Sequence, residues 1–196
     1  MVEKQLRGRG IEDERVLAAM ASVPREEFLP EDVRPDAYRD GALPIGENQT
    51  VSQPWIVACM AALIEPRGDE LVLEVGTGSG YSAAVLSRLC RSVVTVERRA
   101  GLADAARVRL AALGYPNVEV RTGDGCAGAP DRAPFDAVLV TAVAKDEPPQ
   151  ALREQVRAGG PLVCPVKRDD GEFLMRFRDG DEERVVPVRF VPLVSG

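Results

Sequence analysis

The sequence has 196 residues, of which 45% are hydrophobic and 29% are charged, so it can bury a large core and is not typical of a disordered chain. Its formal net charge of −6 argues against a nucleic-acid partner, because a large nucleic-acid footprint needs a basic face. It contains no His, and its four Cys show no CxxC spacing, so we expect no metal site and reduced, mostly buried thiols.

The N-terminal part of the chain predicts a helical extension followed by an irregular stretch. Residues 11–23 place apolar side chains at helical spacing before Pro24. The next stretch, PREEFLPEDVRPDAYRDGALPIGENQT, is rich in Pro, Gly and charge and has no long periodic segment. A stretch of this length is either a functional segment or a mobile linker, and composition alone leaves both readings open.

A second helix is predicted in TVSQPWIVACMAALIEP, from near Pro54 to a point before Pro66, because apolar residues recur there at helical spacing. Ser52 lies where it would cap this helix, and helix propensity alone favours capping over a catalytic role. On the same basis we expect Trp55 to pack against the protein rather than to form a substrate platform.

Targeting signals are not evident in the sequence. The segment MVEKQLRGRG is charged and lacks the apolar stretch of a leader peptide. No apolar run is long enough to cross a bilayer. We therefore expect a cytoplasmic protein with no membrane partner.

From residue 70 onwards, apolar runs alternate with helix-like segments, which predicts βα units and a mostly parallel sheet covered by helices. The last part, FLMRFRDGDEERVVPVRFVPL, has a DG turn between two strand-like runs and predicts an antiparallel hairpin at the sheet edge. We expect one domain over 1–196, with a helical segment at 1–66 and the sheet core and hairpin at 67–196. The predicted strands are 70–75, 92–97, 117–122, 135–141 and 160–166, and the predicted helices between them are 80–90, 101–113 and 148–157.

The stretch LVLEVGTGSGY predicts a strand, a glycine-rich turn and the start of a helix. Gly76, Gly78 and Gly80 form GxGxG, whereas dinucleotide sites use GxGxxG. Glu97 ends the next apolar run, where an acidic side chain accepts hydrogen bonds from both ribose hydroxyls of a nucleoside. The turn and Glu97 together resemble the S-adenosylmethionine site of Rossmann-like methyltransferases. The alternative is an ordinary tight turn and a solvated strand end.

Ligands of such sheets bind beyond the carboxyl ends of the strands, which makes two later positions candidates. Asp124 lies between two glycines after the third predicted strand and can accept a bond from an exocyclic amine such as that of adenine. An ordinary turn aspartate is equally consistent with this pattern. Thr141 ends the fourth predicted strand at the same edge of the sheet.

The whole chain resembles the protein-L-isoaspartate O-methyltransferase family. TVSQP and VRFVPL are more specific than the glycine turn, since general methyltransferases do not share them. The resemblance implies a Rossmann-like S-adenosylmethionine-dependent methyltransferase fold of the α/β class. It also implies a cytoplasmic, usually monomeric repair enzyme that methylates the α-carboxylate of L-isoaspartyl, and in some cases D-aspartyl, residues in damaged proteins and peptides. The matching segments are RVLAAMASVPREEF, AYRDGALPIGENQTVSQP, VLEVGTGSGY, VTVE, GDG, APFDAVLVTA and VRFVPL.

The resemblance also implies roles for individual residues. Ser52 corresponds to the family's active-site hydroxyl beside the substrate carboxylate, which replaces the capping interpretation. S-adenosyl-L-methionine is the expected cofactor and S-adenosyl-L-homocysteine its product. The expected cofactor-binding residues are Gly76, Thr77, Gly78, Ser79, Gly80, Glu97, Arg98, Gly123, Asp124, Gly125 and Thr141. The expected substrate-binding residues are Leu43, Pro44, Ile45, Thr50, Val51, Ser52, Val191 and Leu193.

The sequence departs from the family pattern at four places, which put its substrate range more in question than its cofactor. Asn48 replaces a glycine before QT, Cys126 replaces an aromatic residue after GDG, and Lys167 stands where PVG is expected. The segment AVAKDEPP is one residue longer than its counterpart. Two alternatives therefore stay open: a methyltransferase dedicated to an aspartate of one biosynthetic peptide, which would form an aspartimide, and an S-adenosylmethionine-binding protein without catalysis.

Overall fold

The computed structural model describes residues 1–195, and both helices expected in the N-terminal part are present. Helix α1 spans Glu14–Ser22. Asp13 caps it, because its Oδ1 accepts hydrogen bonds from the backbone N–H of Arg15 at 2.9 Å and of Val16 at 3.3 Å. Helix α2 spans Pro54–Leu63 and buries most of its side chains. Among residues 1–195, no helix is both long and apolar enough to span a membrane.

The stretch between these helices is ordered and contains a β-hairpin that we did not predict. Strand β1 (Leu43–Gly46) pairs antiparallel with strand β2 (Gln49–Val51). The two residues of the turn, Glu47 and Asn48, have φ of 49° and 57°. Positive φ at both positions is typical of a type I′ hairpin turn, and Asn tolerates this conformation better than most residues. The segment is therefore part of the packed structure rather than a linker.

The central sheet has the mostly parallel arrangement predicted from the βα pattern. Its strands lie in the order β10-β9-β8-β6-β3-β4-β5, and β7 pairs with β8. All pairings from β3 to β8 are parallel, while β8–β9 and β9–β10 are antiparallel, so the predicted C-terminal hairpin closes one edge. The strands are β3 (Leu71–Val75), β4 (Ser92–Glu97), β5 (Val118–Thr122), β6 (Ala137–Val140), β7 (Ala144–Lys145), β8 (Leu162–Arg168), β9 (Gly171–Arg178) and β10 (Asp181–Pro187); the remaining helices are α3 (Tyr81–Ser87), α4 (Ala100–Ala112) and α5 (Gln150–Glu154).

Apolar side chains cover both faces of the sheet. Along β3, Val72 joins the cluster that contains the N-terminal elements, α2 and α3, whereas Leu73 and Val75 join the cluster on the opposite face. Since side chains alternate along a strand, Glu74 lies on the same face as Val72, where it is 0% exposed. A carboxyl group is thus buried directly behind the glycine turn.

The strand order places the glycine turn where ligands bind in such sheets. From β3 the chain continues to β4 and β5 on one side, and then crosses to β6 on the other. The turn at Gly76 follows β3, and Thr141 follows β6, with its N–H donating to the Val75 carbonyl at 2.8 Å. The connections that leave the carboxyl ends of these two central strands therefore run to opposite sides, which is the point where ligands bind in the crevice of such sheets.

Candidate active site

The glycine turn brings bare backbone to the edge of the crevice. Gly76 has φ of +97°, and a Cβ at this position would come within 3.0 Å of Thr141 Oγ1, closer than real Cβ atoms approach. The Thr141 hydroxyl donates towards the carbonyl oxygens of Val75 and Gly76, at 3.0 and 2.7 Å. A side chain at position 76 would displace the Thr141 hydroxyl and would be strained at this φ, so glycine suits the contact between the turn and Thr141.

Glu97 fixes the outer part of the turn. The side chain is 7% exposed, and its Oε2 accepts a hydrogen bond from the Gly78 N–H at 2.9 Å. Its Oε1 accepts one from the Arg99 N–H at 3.0 Å. A carboxylate has about four acceptor positions, so Glu97 keeps capacity for two hydroxyl donors while it holds the turn.

A buried polar network supports the turn from behind. Thr77 Oγ1 lies 2.7 Å from Thr95 Oγ1, and the Thr95 hydroxyl donates to Glu74 Oε2 at 2.6 Å. Burial raises the pKa of Glu74 to about 7, although hydrogen bonds from Ser82 and Thr95 act in the opposite direction. Glu74 is not among the site residues predicted from the sequence.

The main cleft opens above the turn and Glu97. Its walls come from the ends of β3, β4 and β6, from β2, and from the C-terminal segment. The residues that line it are Gln49, Thr50, Val75, Gly76, Gly78, Val96, Glu97, Arg98, Arg99, Gly125, Thr141, Ala142, Val191, Pro192, Leu193 and Val194.

A smaller inner pocket adjoins the main cleft, because Thr50, Gly76, Gly78 and Thr141 line both. Ser52 lies in the wall of this inner pocket, together with residues of the glycine turn. The other residues that line it are Val51, Val57, Met60, Thr77, Ser79, Tyr81 and Ser82.

The side chain of Ser79 is a candidate ligand-binding group in the inner pocket. Ser79 is 5% exposed, and its Oγ has no hydrogen-bond partner among residues 1–195. A buried hydroxyl without a partner is unfavourable unless another group satisfies it. The turn therefore presents a polar atom suited to a bound molecule.

The capping interpretation of Ser52 is wrong. The N-cap of α2 is Gln53, and no side chain caps this helix. Pro54 provides the first helical residue with a preset φ and no N–H to satisfy, so the helix can begin without a side-chain cap. The Ser52 side chain is thus not committed to α2. The expected packing role of Trp55 is confirmed, since its Nε1 donates to the Arg9 carbonyl at 3.2 Å and its ring packs against the core cluster.

Some predicted site residues lie outside both cavities. In β1 the side chains of Leu43 and Ile45 are buried, while Pro44 between them is exposed. Ile45 still approaches the turn, since a Cβ on Gly78 would lie 3.2 Å from Ile45 Cδ1. Gly80 packs beneath α4 instead, where a Cβ would meet Leu110 Cδ1 at 3.2 Å.

The loop after β5 contributes through its backbone. The Gly123 N–H donates to the Glu97 carbonyl at 2.9 Å, which ties this loop to the end of β4. Asp124 Oδ1 accepts from the Cys126 N–H at 2.8 Å. Of the three residues GDG, only Gly125 lines the main cleft, and a Cβ there would come 2.5 Å from Val75 Cγ1.

The C-terminal segment forms a wall of the main cleft. The Val143 N–H donates to the Val191 carbonyl, and the Leu193 N–H donates to the Val143 carbonyl, both at 2.8 Å. Arg98 Nη1 also donates to the Val194 carbonyl at 3.4 Å. Val191 and Leu193, which we predicted in a peptide groove, thus line the same cleft as Glu97.

Several residues of the site were missed by the sequence analysis. Arg109 donates from Nη1 to the Ser79 carbonyl at 2.9 Å. Burial lowers the pKa of Arg109. The other missed residues are Gln49, Val57, Met60, Val75, Tyr81, Ser82, Val96, Arg99, Ala142, Pro192 and Val194. Most are apolar, and an apolar residue in a strand or helix has no distinguishing pattern when it lines a cavity.

Three of the four departures from the family pattern can be placed in the structure. Asn48 occupies a left-handed turn position, which Asn and Gly both accept. Cys126 is half-buried next to Asp124, and burial raises the pKa of its thiol. Lys167 is an exposed residue of β8 that does not line the main cleft or the inner pocket. The remaining thiols, Cys59, Cys90 and Cys164, are buried and free, as expected.

Comparison with known proteins identifies the family. The sequence model of the protein-L-isoaspartate(D-aspartate) O-methyltransferase family matches residues 1–196. The chain belongs to this family. A protein-L-isoaspartate O-methyltransferase of Methanoregula boonei is 53% identical over 199 residues, which cover 100% of this chain and 91% of that protein.

Solved structures of protein-L-isoaspartate O-methyltransferases have the same fold. One superposes with a TM-score of 0.87 at 29% identity, and the match covers 100% of this chain and 66% of that one. A Plasmodium falciparum protein in complex with S-adenosyl-L-homocysteine superposes with a TM-score of 0.84 at 22% identity, covering 100% of this chain and 97% of that one. The predicted α/β methyltransferase fold is confirmed.

Proposed function

We propose that this protein transfers the methyl group of S-adenosyl-L-methionine to the α-carboxylate of L-isoaspartyl residues in damaged proteins and peptides. The observation that carries the proposal is the inner pocket, where Ser52 of the TVSQP segment meets the glycine turn beside the main cleft. D-aspartyl residues, which present a similarly displaced carboxylate, form a second substrate class within the proposal.

The residues of the main cleft and of the inner pocket fit S-adenosyl-L-methionine. Glu97 offers carboxylate lone pairs suited to ribose hydroxyls. The buried Ser79 hydroxyl lacks a partner among the described residues and suits the polar methionine end of the cofactor. Gly76 and Gly125 also line the main cleft, where they present backbone without a side chain. When bound, the cofactor supplies an electrophilic methyl group on a positively charged sulfur.

The chain's own residues orient the acceptor and exclude water. An α-carboxylate has a pKa near ~4, so it is already a nucleophile at neutral pH and needs no general base. The Ser52 hydroxyl donates a hydrogen bond to one carboxylate oxygen and leaves the other free for attack. Val51, Val57 and Met60 form the apolar part of the same pocket and limit the access of water. Catalysis thus rests on positioning and on a water-poor environment.

The ester product accounts for the repair function. The α-methyl ester of an isoaspartyl residue is a good electrophile, and we expect the backbone nitrogen of the following residue to attack it without the enzyme, lose its proton, release methanol and close a succinimide. Hydrolysis of the succinimide returns part of the material as normal aspartate, and the isoaspartyl remainder becomes substrate again.

The test uses matched peptides that differ only in the isoaspartyl or aspartyl linkage, together with labelled S-adenosyl-L-methionine. We expect base-labile label on the isoaspartyl peptide alone. Label on the normal aspartyl peptide would instead support the dedicated-peptide alternative, and label on neither, with retained cofactor binding, would support a binding role.

The role of Ser52 needs its own variants. We expect Ser52→Ala to lower kcat on the isoaspartyl peptide by about 10-fold to 100-fold, because the carboxylate loses its hydrogen-bond donor. Ser52→Thr retains a hydroxyl and serves as the matched variant. Wild-type turnover by Ser52→Ala would remove Ser52 from the mechanism.

The proposed repair enzyme acts as a monomer in the cytoplasm. Its substrates are scattered sites on many damaged proteins, and the main cleft and the inner pocket are both built from residues of one chain. Size-exclusion chromatography with light scattering measures the oligomeric state, and we expect the mass of a single chain.

A further inference from the structure

Arg25 is a buried arginine that has no part in the chemistry described above. Its side chain is 0% exposed, which is rare for arginine because burying a charge is unfavourable. Burial lowers the pKa of Arg25, yet an arginine side chain stays charged at neutral pH. No acidic residue of the described chain forms an ion pair with it. A buried cation without an ion pair does not stabilise the folded protein, so a functional role would explain why Arg25 is there.

The contacts of Arg25 join the two sides of the inner pocket. Its Nη2 donates to the Ser52 carbonyl at 2.7 Å, and its Nε donates to the Ala37 carbonyl at 2.8 Å. Its guanidinium lies over the ring of Tyr81, 4.7 Å from the centroid. Ser52 and Tyr81 both line the inner pocket. The guanidinium of Arg25 thus contacts both the backbone of Ser52 and the ring of Tyr81, the residue that follows the glycine turn.

The position of Tyr81 is fixed by its surroundings. It is 0% exposed and begins α3 directly after Gly80. Phe28, at the end of the short helical turn Arg25–Phe28, packs edge-on against the Tyr81 ring with centroids 5.6 Å apart. The same turn therefore contacts Tyr81 through both a cation and an aromatic ring.

Ser52 is less constrained by its own neighbours. It lies between the last residue of β2, Val51, and Gln53, which is extended because Pro54 follows it. No helix cap or strand pairing fixes the Ser52 residue itself. The hydrogen bond from Arg25 to the Ser52 carbonyl is the contact that restrains its backbone, and hence the direction of its hydroxyl.

We propose that Arg25 is a positioning residue for methyl transfer, which sets the Ser52 hydroxyl relative to the glycine turn by bonding the Ser52 carbonyl while stacking on Tyr81. This inference rests on the proposed function, because it assigns Arg25 a task in orienting the methyl acceptor. The guanidinium geometry is essential to it, since the planar fork donates in two directions while its face contacts a ring. Lysine retains the charge but cannot make all three contacts.

The test compares Arg25→Lys and Arg25→Met with the wild type and with Arg91→Met. Arg91 is an exposed arginine whose Nε donates to the Asp69 carbonyl at 3.1 Å, so its variant controls for loss of a carbonyl contact away from the site. For each protein, kcat on an isoaspartyl peptide, the Kd for S-adenosyl-L-homocysteine by calorimetry and the thermal midpoint are measured.

We expect the two Arg25 variants to rank in one order for activity and in the opposite order for stability. Arg25→Met should lose about 100-fold in kcat, because a displacement of about 1 Å at a reacting group has this effect. Arg25→Lys should retain more activity, since its ammonium still reaches the Ser52 carbonyl. The thermal midpoint of Arg25→Met should equal or exceed that of Arg25→Lys, because methionine fills the space without a buried charge. The Kd for S-adenosyl-L-homocysteine should stay within about twofold in both variants, and Arg91→Met should behave as wild type.

Three results would overturn the inference. The first is wild-type kcat in Arg25→Met, or in Arg25→Lys if the methionine variant does not fold. The second is a loss of activity that follows the loss of stability across both variants, and the third is an equal loss of cofactor affinity. If the wild-type chain itself fails to methylate the isoaspartyl peptide, the proposed function fails first, so the two failures are distinguishable.

Discussion

The collision between a side chain at position 76 and Thr141 gives the most direct test of how the glycine turn is built. Gly76→Ala imposes two penalties. A left-handed backbone costs a non-glycine residue about 1–2 kcal/mol, and forcing a methyl group against Thr141 Oγ1 costs about 1–3 kcal/mol more. We therefore expect a total loss of about 2–5 kcal/mol in the free energy of unfolding.

Gly114→Ala separates these two penalties. Gly114 has φ of +77°, close to the +97° of Gly76, but a Cβ on Gly114 would meet nothing within 4 Å. This control variant should lose only the backbone part, about 1–2 kcal/mol. The difference in free energy of unfolding between the two variants therefore measures the collision with Thr141. We also expect weaker binding of S-adenosyl-L-homocysteine in Gly76→Ala and unchanged binding in Gly114→Ala.

The double variant Gly76→Ala/Thr141→Ala completes a thermodynamic cycle. Removing the Thr141 hydroxyl alone should cost about 1 kcal/mol, because its bonds to the Val75 and Gly76 carbonyls are lost. In the Gly76→Ala background, the same change relieves the collision of about 1–3 kcal/mol but loses the same bonds, so stability should recover by about 0–2 kcal/mol. Urea denaturation followed by circular dichroism measures all four proteins. Equal stability of Gly76→Ala and Gly114→Ala, or strict additivity in the double variant, would refute the packing argument.

The remaining predictions concern Glu97, Glu74 and Asn48. Glu97→Gln should weaken the Kd for S-adenosyl-L-homocysteine by about 10-fold to 100-fold by calorimetry, because hydrogen bonds to a charged acceptor are worth about 1.5–3 kcal/mol; an unchanged Kd would exclude Glu97 from cofactor binding. Burial raises the pKa of Glu74 from 4.5 to about 7. The contribution of its protonation to the free energy of unfolding is therefore fully present below pH 4.5 and is lost as the pH rises through about 7. Glu74→Gln stays neutral and should lack this loss of about 3 kcal/mol, which urea denaturation between pH ~4.5 and ~8 would detect; identical pH profiles would contradict the assignment. Asn48→Gly should retain wild-type stability and activity, whereas Asn48→Val should lose about 1–2 kcal/mol of stability, because a β-branched residue is strained at φ of 57°; equal stability of the two variants would show that the turn does not need positive φ.

The architecture of the sheet could be predicted because its determinants are local. Buried parallel strands appear as continuous apolar runs, and helices with good propensity separate them. The predicted strand 92–97 coincides with β4, and the glycine turn follows β3 as expected. The order of the last strands was open, since a hairpin can pair through either of its strands, and the structure places β9 next to β8.

The β1–β2 hairpin could not be predicted for physical reasons. Its strands contain four and three residues, which is too short for a clear alternating pattern. Its turn sequence is Glu47-Asn48 rather than the Asn-Gly or Asp-Gly that indicates a tight hairpin. The burial of Leu43 and Val51 comes from packing against distant parts of the chain, which no local pattern contains.

The site was predicted in part for a related reason. Glu97 and the glycines belong to a recognisable local pattern, and Glu97, Gly76 and Gly78 line the main cleft. Ser52 was first assigned to capping, because the sequence around it favours a cap, and only the resemblance to the family corrected this. The contact of Arg25 with Ser52 joins residues 27 positions apart and depends on tertiary packing, so neither residue indicates it alone.

Repair of an isoaspartyl peptide is the measurement that tests the central claim most directly. The peptide is incubated with the protein and S-adenosyl-L-methionine over repeated cycles of methylation and hydrolysis, and the isoaspartyl and aspartyl forms are separated by chromatography. We predict that the isoaspartyl form declines, that the succinimide appears transiently and that the aspartyl form accumulates. An isoaspartyl peptide that persists unchanged with folded, cofactor-binding protein would contradict the account.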